Sequence, residues 1–128
     1  MQPLNLLLRF LLELVLIFIG GYWAFETWAG SFLQWPTTIG IPFAIISIWG
    51  LFNVPGDPSR SGKAPIPISG INRLLIEVVM FGLGFYFFYD LNLKSLALCF
   101  FSSFIMHNSL ASDRIIWLLK QKNNPFHK

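Results

Sequence analysis

A long apolar run near the start of the chain carries an arginine and a glutamate four residues apart, and a later run begins with the same pattern. The two pairs are Arg9 with Glu13 and Arg73 with Glu77. Residues four apart lie on one face of an α-helix. Charged groups in a membrane-length segment cost free energy unless partners compensate them. Both pairs should therefore point inward and satisfy each other.

The composition indicates an integral membrane protein. Of 128 residues, 55% are hydrophobic and only 12% are charged, and a soluble domain of this size could not bury so much apolar surface. The formal net charge is +3, but the basic residues flank apolar segments and form no extended basic face, which argues against nucleic-acid binding. The single cysteine, Cys99, allows no intramolecular disulfide and no cysteine-based zinc set. No cofactor is indicated.

Four apolar segments reach the length that a helix needs to cross a bilayer, about 20 residues with about 17 as the short limit. They cover residues 4–25, 38–54, 71–89 and 93–111. Glycine, proline and asparagine turn signals separate them, and the first segment lacks the basic start and the cleavage site of a signal peptide. We therefore expect one all-α transmembrane domain over residues 1–128, a four-helix bundle followed by a cytoplasmic tail at 112–128.

The distribution of Lys and Arg predicts the orientation. Residues at the N-terminal end, around the second connection and in the tail are basic: Arg9, Arg60, Lys63, Arg73, Arg114, Lys120, Lys122 and Lys128. The first and third connections together hold only Lys94. The positive-inside rule then places both termini and the middle loop in the cytoplasm, with an aromatic belt of Trp and Tyr at the opposite face.

An offset of 64 residues aligns the two Arg/Glu runs. The identities that it produces are Arg9 with Arg73, Leu11 with Leu75, Glu13 with Glu77, Val15 with Val79, Gly20 with Gly84 and Tyr22 with Tyr86. Helices one and three run the same way through the membrane, so the repeat predicts two similar helical hairpins related by a pseudo-two-fold axis along the membrane normal. Helices two and four show no matching repeat, and convergence on one packing solution is the alternative.

Each predicted helix brings polar residues to one level on the cytoplasmic side. The candidate site residues at this level are Arg9, Glu13, Arg73, Glu77, His107, Asn108, Trp49 and Asn53. One interpretation is a closed ion-pair network that specifies how the helices pack. The other is a ligand or proton site that is open to the cytoplasm. Two glutamates and one histidine among arginines make a poor metal site.

The loop after the second helix and the tail add further candidates. In the loop these are Pro55, Asp57, Pro58 and Arg60, and in the tail Asp113 and Arg114. Prolines restrict the loop backbone, which suits either a lid over the polar layer or a rigid connector. The pattern over residues 112–122 is typical of an amphipathic helix at the inner membrane surface; a plain end of the fourth helix with snorkelling basic residues is the alternative.

Four motifs extend over nearly the whole chain: R-x-x-x-E in helix one, W-G-x-F-x-x-P from Trp49 to Pro55, the glutamate at Glu77, and the end of helix four with His107, Asp113, Arg114 and Trp117. In these motifs the chain resembles the YrdB family of small bacterial membrane proteins. The resemblance covers nearly the whole chain and implies four spans in the bacterial inner membrane, without an established activity. A fainter likeness to small multidrug transporters rests on a glutamate in the first of four short helices.

Three functions are compatible with these observations. The first is a membrane protein whose polar layer binds a small or amphiphilic ligand and moves it with protons. The second is a non-catalytic accessory or structural subunit. The third, which we favour least, is a membrane-embedded enzyme with Glu and His as acid and base, which needs His107 within hydrogen-bond reach of a carboxylate beside an open cavity. The expected partners are membrane lipid and either a second copy or another membrane protein.

Overall fold

The computed structural model describes residues 3–57 and 64–120. The elements in chain order are α1 (Pro3–Thr27), α2 (Gln34–Leu51), β1 (Phe52–Asn53), β2 (Ile66–Pro67), α3 (Gly70–Asp90), α4 (Lys94–Leu110) and α5 (Ser112–Lys120). The two strands pair in parallel over two residues, and the fold is otherwise all-α. The prediction of an all-α protein is confirmed.

Two helices, α1 and α3, are each long and apolar enough to cross a membrane. A third crossing is present if α4 and α5, which meet at an angle of 71°, form one broken span. α2 carries Pro42 in its interior, and α4 has only 17 residues. Separate crossings by α2 and by α4 therefore stay a prediction.

The central pair of helices, α1 and α3, each buries a stripe with a spacing of three or four residues. The stripe of α1 contains Asn5, Arg9, Leu12, Leu16 and Ile19. That of α3 contains Arg73, Glu77, Met80, Gly84 and Phe87. In both helices the buried polar residues lie toward the N-terminal end and the buried apolar residues follow. A polar layer therefore borders the hydrophobic core at the N-terminal ends of α1 and α3.

The two glycines of the repeat lie where their helices pack closely against the next helix in the chain. A Cβ atom on Gly20 would lie 3.1 Å from the Cδ1 atom of Ile45 in α2. One on Gly84 would lie 2.6 Å from the Cε2 atom of Phe100 in α4. Small residues permit such close helix packing. Gly20 therefore permits close packing of α1 on α2, and Gly84 permits close packing of α3 on α4.

The helix in the second segment differs from the predicted 38–54. It begins at Gln34 because Pro36 falls in the first turn, where a helix tolerates proline. It ends at Leu51, and Phe52 and Asn53 instead pair with the strand β2. Pro55 disfavours the helical conformation for Val54, which explains why the helix does not continue.

The tail does not continue α4 in a straight line. The chain bends at Ala111, and α5 packs across the start of α3, where a Cβ atom on Gly70 would overlap the backbone carbonyl of Leu118. The bend shows that residues 112–120 do not extend α4 in a straight line, and their position at the inner membrane surface stays a prediction. Lys122 and the rest of the predicted tail lie outside the described residues.

Candidate functional site

Glu77 of α3 lies at the centre of a buried charged cluster. Its Oε2 atom accepts hydrogen bonds from Arg9 Nη2 at 2.9 Å and from Arg73 Nε at 3.0 Å. Arg114 donates to Oε2 from Nη2 at 2.7 Å and to Oε1 from Nη1 at 3.1 Å. A carboxylate offers about four acceptor sites. Glu77 therefore uses its full capacity on three arginines from three helices.

Arg114 joins α5 and the loop after β1 to this cluster. Its Nε and Nη2 atoms donate to the two oxygens of Asp57 at 2.8 and 2.7 Å. This bidentate pair is fully buried, with both side chains at 0% exposure. Paired donors and acceptors of this kind are among the strongest hydrogen bonds in proteins. The loop and α5 are thus attached to α3 through one guanidinium group.

Arg73 and Trp49 close the cluster beside the end of α2. The Nη1 atom of Arg73 donates to the carbonyl oxygens of Phe52 at 2.6 Å and of Trp49 at 3.3 Å. These bonds satisfy backbone acceptors that the end of a helix leaves without partners. The guanidinium groups of Arg73 and Arg9 lie 4.7 and 5.5 Å from the centre of the Trp49 ring, within cation–π range.

His107 and Asn5 complete the polar layer on the other side of Arg9. The Nδ1 atom of His107 lies 2.8 Å from Asn5 Oδ1, and its Nε2 atom lies 3.5 Å from Arg9 Nη1. Since Asn5 Oδ1 only accepts and Arg9 only donates, the partners assign the neutral ring with the proton on Nδ1. Both ring nitrogens face partners other than a carboxylate. The pairing that acid–base catalysis at His107 would need does not occur there.

Glu13 occupies a different environment from Glu77, although the two are equivalent in the sequence repeat. Its carboxylate pairs with Arg9 Nε at 3.2 Å and accepts a hydrogen bond from the Trp49 side chain. The Glu13 side chain is 21% exposed, compared with 3% for Glu77. Glu13 is thus the member of the cluster that reaches the protein surface.

A groove between α1 and α2 begins at Glu13. Its first part has a volume of about 240 Å³, and the residues that line it are Glu13, Leu16, Ile17, Ile45, Ile46, Trp49 and Gly50. A second part of about 420 Å³ also contacts Ile17 and is lined by Phe18, Gly21, Tyr22, Phe25, Thr38 and Pro42. We call the two parts together the α1–α2 groove. Its walls are mainly apolar, with Glu13 and Trp49 at one end and Tyr22 and Thr38 at the other.

Several predicted site residues lie outside the cluster. Asn108 donates to the carbonyl of Phe104 in its own helix at 2.9 Å. Asn53 donates to the carbonyl of Gly50 at 2.7 Å and supports the end of α2. Asp113 is exposed in the first turn of α5. Pro55 lies in the turn that leads to Asp57. Pro58 and Arg60 are outside the described residues.

The sequence alone did not indicate that Asn5, Asp57 and Arg114 belong to the same layer as the two repeated pairs. The sequence could have indicated Asn5, because this residue lies one helical turn before Arg9 on the same face of the helix. No local pattern could have indicated that Asp57 and Arg114 pair with each other, since they are 57 residues apart in the sequence. Their pairing depends on the bend between α4 and α5.

The charges of the cluster balance. Arg9, Arg73 and Arg114 supply three positive charges, and Glu13, Asp57 and Glu77 supply three negative charges. A buried charge is tolerated when it is paired and hydrogen-bonded in this way. Among the described residues, no group of three or more His, Cys, Asp or Glu side chains could hold a metal ion. The arrangement is suited to holding helices together and to presenting Glu13 to the groove.

Comparison with known proteins gives a family without an assigned activity. A family model described as "Protein of unknown function (DUF2568)" matches residues 7–105. The chain is also 38% identical over 117 residues to the uncharacterized protein YrdB of Bacillus subtilis (strain 168), which covers 91% of this chain and 94% of that protein. No solved structure matches. The chain therefore belongs to the DUF2568 family, together with proteins similar to YrdB.

Proposed function

We propose that this protein crosses the membrane four times and binds a membrane amphiphile in the α1–α2 groove, with the charged cluster as the rigid frame of that groove. The observation that carries the proposal is the contrast between the two glutamates. Glu77 is buried and accepts four hydrogen bonds from arginines, whereas Glu13 lines a largely apolar groove and its side chain is 21% exposed.

The length of the helices supports four crossings. α2 has 18 residues and α4 has 17, which correspond to about 26 Å at the helical rise and approach the ~30 Å thickness of the hydrocarbon core. A position of α5 along the inner membrane surface is supported by the bend before this helix and by the exposure of Ile116 and Leu119, which would then contact lipid. The excess of Lys and Arg at this end favours cytoplasmic termini.

The packing of the two hairpins supports their pseudo-symmetry. Gly20 and Gly84 each contact the following helix, and Tyr22 and Tyr86, the next identical pair, are 52% and 50% exposed. Identical positions thus have similar surroundings in both halves away from the charged layer. A duplicated hairpin explains this similarity.

A groove-filling substitution tests the binding function. A Cβ atom on Gly50 would meet nothing within 4 Å, so Gly50→Leu should enter the groove without displacing other residues. Gly40 is a matched control on the same helix: its Cβ would also meet nothing within 4 Å, and it lines neither part of the groove. The protein would be placed in nanodiscs that contain a phospholipid with a photoreactive group in its acyl chain.

We expect labelling of the α1 and α2 residues that line the groove in the wild type and in Gly40→Leu. In Gly50→Leu, labelling of the residues near Glu13 should fall several-fold. Equal labelling in all three proteins, spread over the whole lipid-facing surface, would contradict the proposal. That result would instead favour a non-catalytic accessory role, the second candidate, which the saturation of Glu77 supports.

A further inference from the structure

Among the residues that the structure describes, those that line the polar end of the α1–α2 groove present a carboxylate, Glu13, and no cationic side chain. Arg9 lies behind Glu13 but has its three nitrogens engaged elsewhere: Nε with Glu13, Nη2 with Glu77 and Nη1 with His107. Its residue is only 4% exposed. A molecule in the groove would therefore meet the Glu13 carboxylate first, because the guanidinium of Arg9 lies behind it and is shared between Glu13 and Glu77.

Glu13 retains acceptor capacity that Glu77 lacks. It accepts from Arg9 and from the Trp49 side chain, which leaves about two of the four acceptor sites of a carboxylate. A positively charged donor with several N–H groups can use these sites. An anionic head would be repelled, and a fully alkylated cation would have no N–H to donate.

Glu13 lies at a depth in the proposed span that the headgroup of a lipid can reach. Trp49 and Gly50, which share its part of the groove, lie in the last turn of α2, within about 3 Å of the end of the helix at the helical rise. The end of a span lies near the boundary between hydrocarbon and headgroups. A headgroup can reach Glu13 from this boundary without crossing the bilayer centre.

The rest of the groove suits an apolar chain. Both parts contact Ile17, and the second continues to Phe25 and Thr38. From Glu13 to Phe25 the groove follows twelve residues of α1, or about 18 Å. It is open on its lipid side, so a chain could enter laterally from the bilayer.

From this geometry we infer that the α1–α2 groove selects a bilayer lipid with an ammonium headgroup, whose N–H groups donate to Glu13 while one acyl chain lies along the groove. This inference rests on the proposed binding function and adds the chemistry of the ligand. Trp49, through its hydrogen bond to Glu13, holds the carboxylate in position.

Native mass spectrometry of the detergent-purified protein can compare lipids that differ only in the head. The probes are phosphatidylethanolamine, phosphatidylcholine and phosphatidylglycerol with the same acyl chains. Because the headgroup ammonium would donate a charge-assisted hydrogen bond to Glu13, we expect wild-type protein to retain phosphatidylethanolamine at least about tenfold more than either other lipid, which corresponds to about 1.4 kcal/mol. Equal retention of all three would overturn the inference without any substitution.

Two variants distinguish selection of the headgroup by Glu13 from binding of the acyl chain in the groove. Glu13→Gln keeps an oxygen that can accept from Arg9 but removes the charge, and it should abolish the preference among headgroups while leaving chain binding. Glu26→Gln, an exposed acid at the other end of α1, is the matched control and should change nothing. A preference that survives Glu13→Gln would overturn the role of this carboxylate.

The outcomes distinguish this inference from the function on which it rests. If Gly50→Leu lowers retention of all three lipids but wild type shows no preference, the groove binds lipid and the ammonium selection is wrong. If Gly50→Leu changes neither retention nor preference, the groove is not the binding site and both proposals fail.

Discussion

Replacing Glu77 by glutamine should be among the most damaging isosteric changes in this protein. The substitution removes one negative charge and leaves three arginines opposite two carboxylates in a layer where Arg73 and Arg114 are each only 1% exposed. It also places an amide N–H₂ group against guanidinium donors, since all four hydrogen bonds at this position come from arginines. Breaking a buried ion pair by removing one partner typically costs about 3–5 kcal/mol.

The matched comparison is Glu13→Gln, because Glu13 is the residue that aligns with Glu77 in the sequence repeat. Glu13 makes one ion pair at 3.2 Å with Arg9, and Arg9 keeps Glu77 as a second partner, so the replacement of Glu13 should cost less, about 1–2 kcal/mol. Reversible unfolding in mixed micelles, followed by circular dichroism, gives both free energies. Two costs within about 0.5 kcal/mol of each other would refute the reasoning, because a difference between the sites is what the buried contacts of Glu77 predict.

Two further predictions concern the contacts that hold α5 and the opposite end of the bundle, measured by the same unfolding assay. Gly70→Ala should destabilise the protein by about 1–3 kcal/mol, because the added Cβ would overlap the carbonyl of Leu118. The control is Gly82→Ala, whose Cβ would meet nothing within 4 Å, and it should be neutral or stabilise the protein by up to about 1 kcal/mol. Equal effects of the two substitutions would contradict the tight packing of α5 on α3. Trp23→Phe removes the hydrogen bond from the indole to Asp90 Oδ2 at 2.8 Å and should cost about 1 kcal/mol, and no measurable loss would show that this exposed bond does not link α1 to α3.

Much of the fold was predictable because local patterns encode it. The apolar segments indicate helices at nearly the positions observed, and the four-residue spacing of Arg9 with Glu13 and of Arg73 with Glu77 predicts the ion pairs within α1 and α3. These are properties of single helices and need no tertiary information. The end of α2 was less predictable because the pairing of β1 with β2 joins distant parts of the chain.

The difference between the two glutamates could not be predicted from the sequence. Glu13 and Glu77 occupy the same position in the repeat, and each has an arginine four residues before it. What separates them is Arg114, which reaches Glu77 across 37 residues because the chain bends after α4. No periodicity encodes the direction of such a bend, since it depends on how α5 packs on the glycine at the start of α3.

The asymmetry of the charged layer follows from what comes after each hairpin. After the second hairpin, α5 packs over α3 and delivers Arg114 to Glu77. After the first hairpin, the described residues 52–57 and 64–69 form β1, a turn and β2 instead of a helix over α1, and they carry Asp57 to Arg114. The element that would cover Glu13 by symmetry is therefore used to complete the cluster at Glu77. Since a buried carboxylate needs partners, this cluster closes the site at Glu77, whereas Glu13 faces the α1–α2 groove with fewer partners among the described residues.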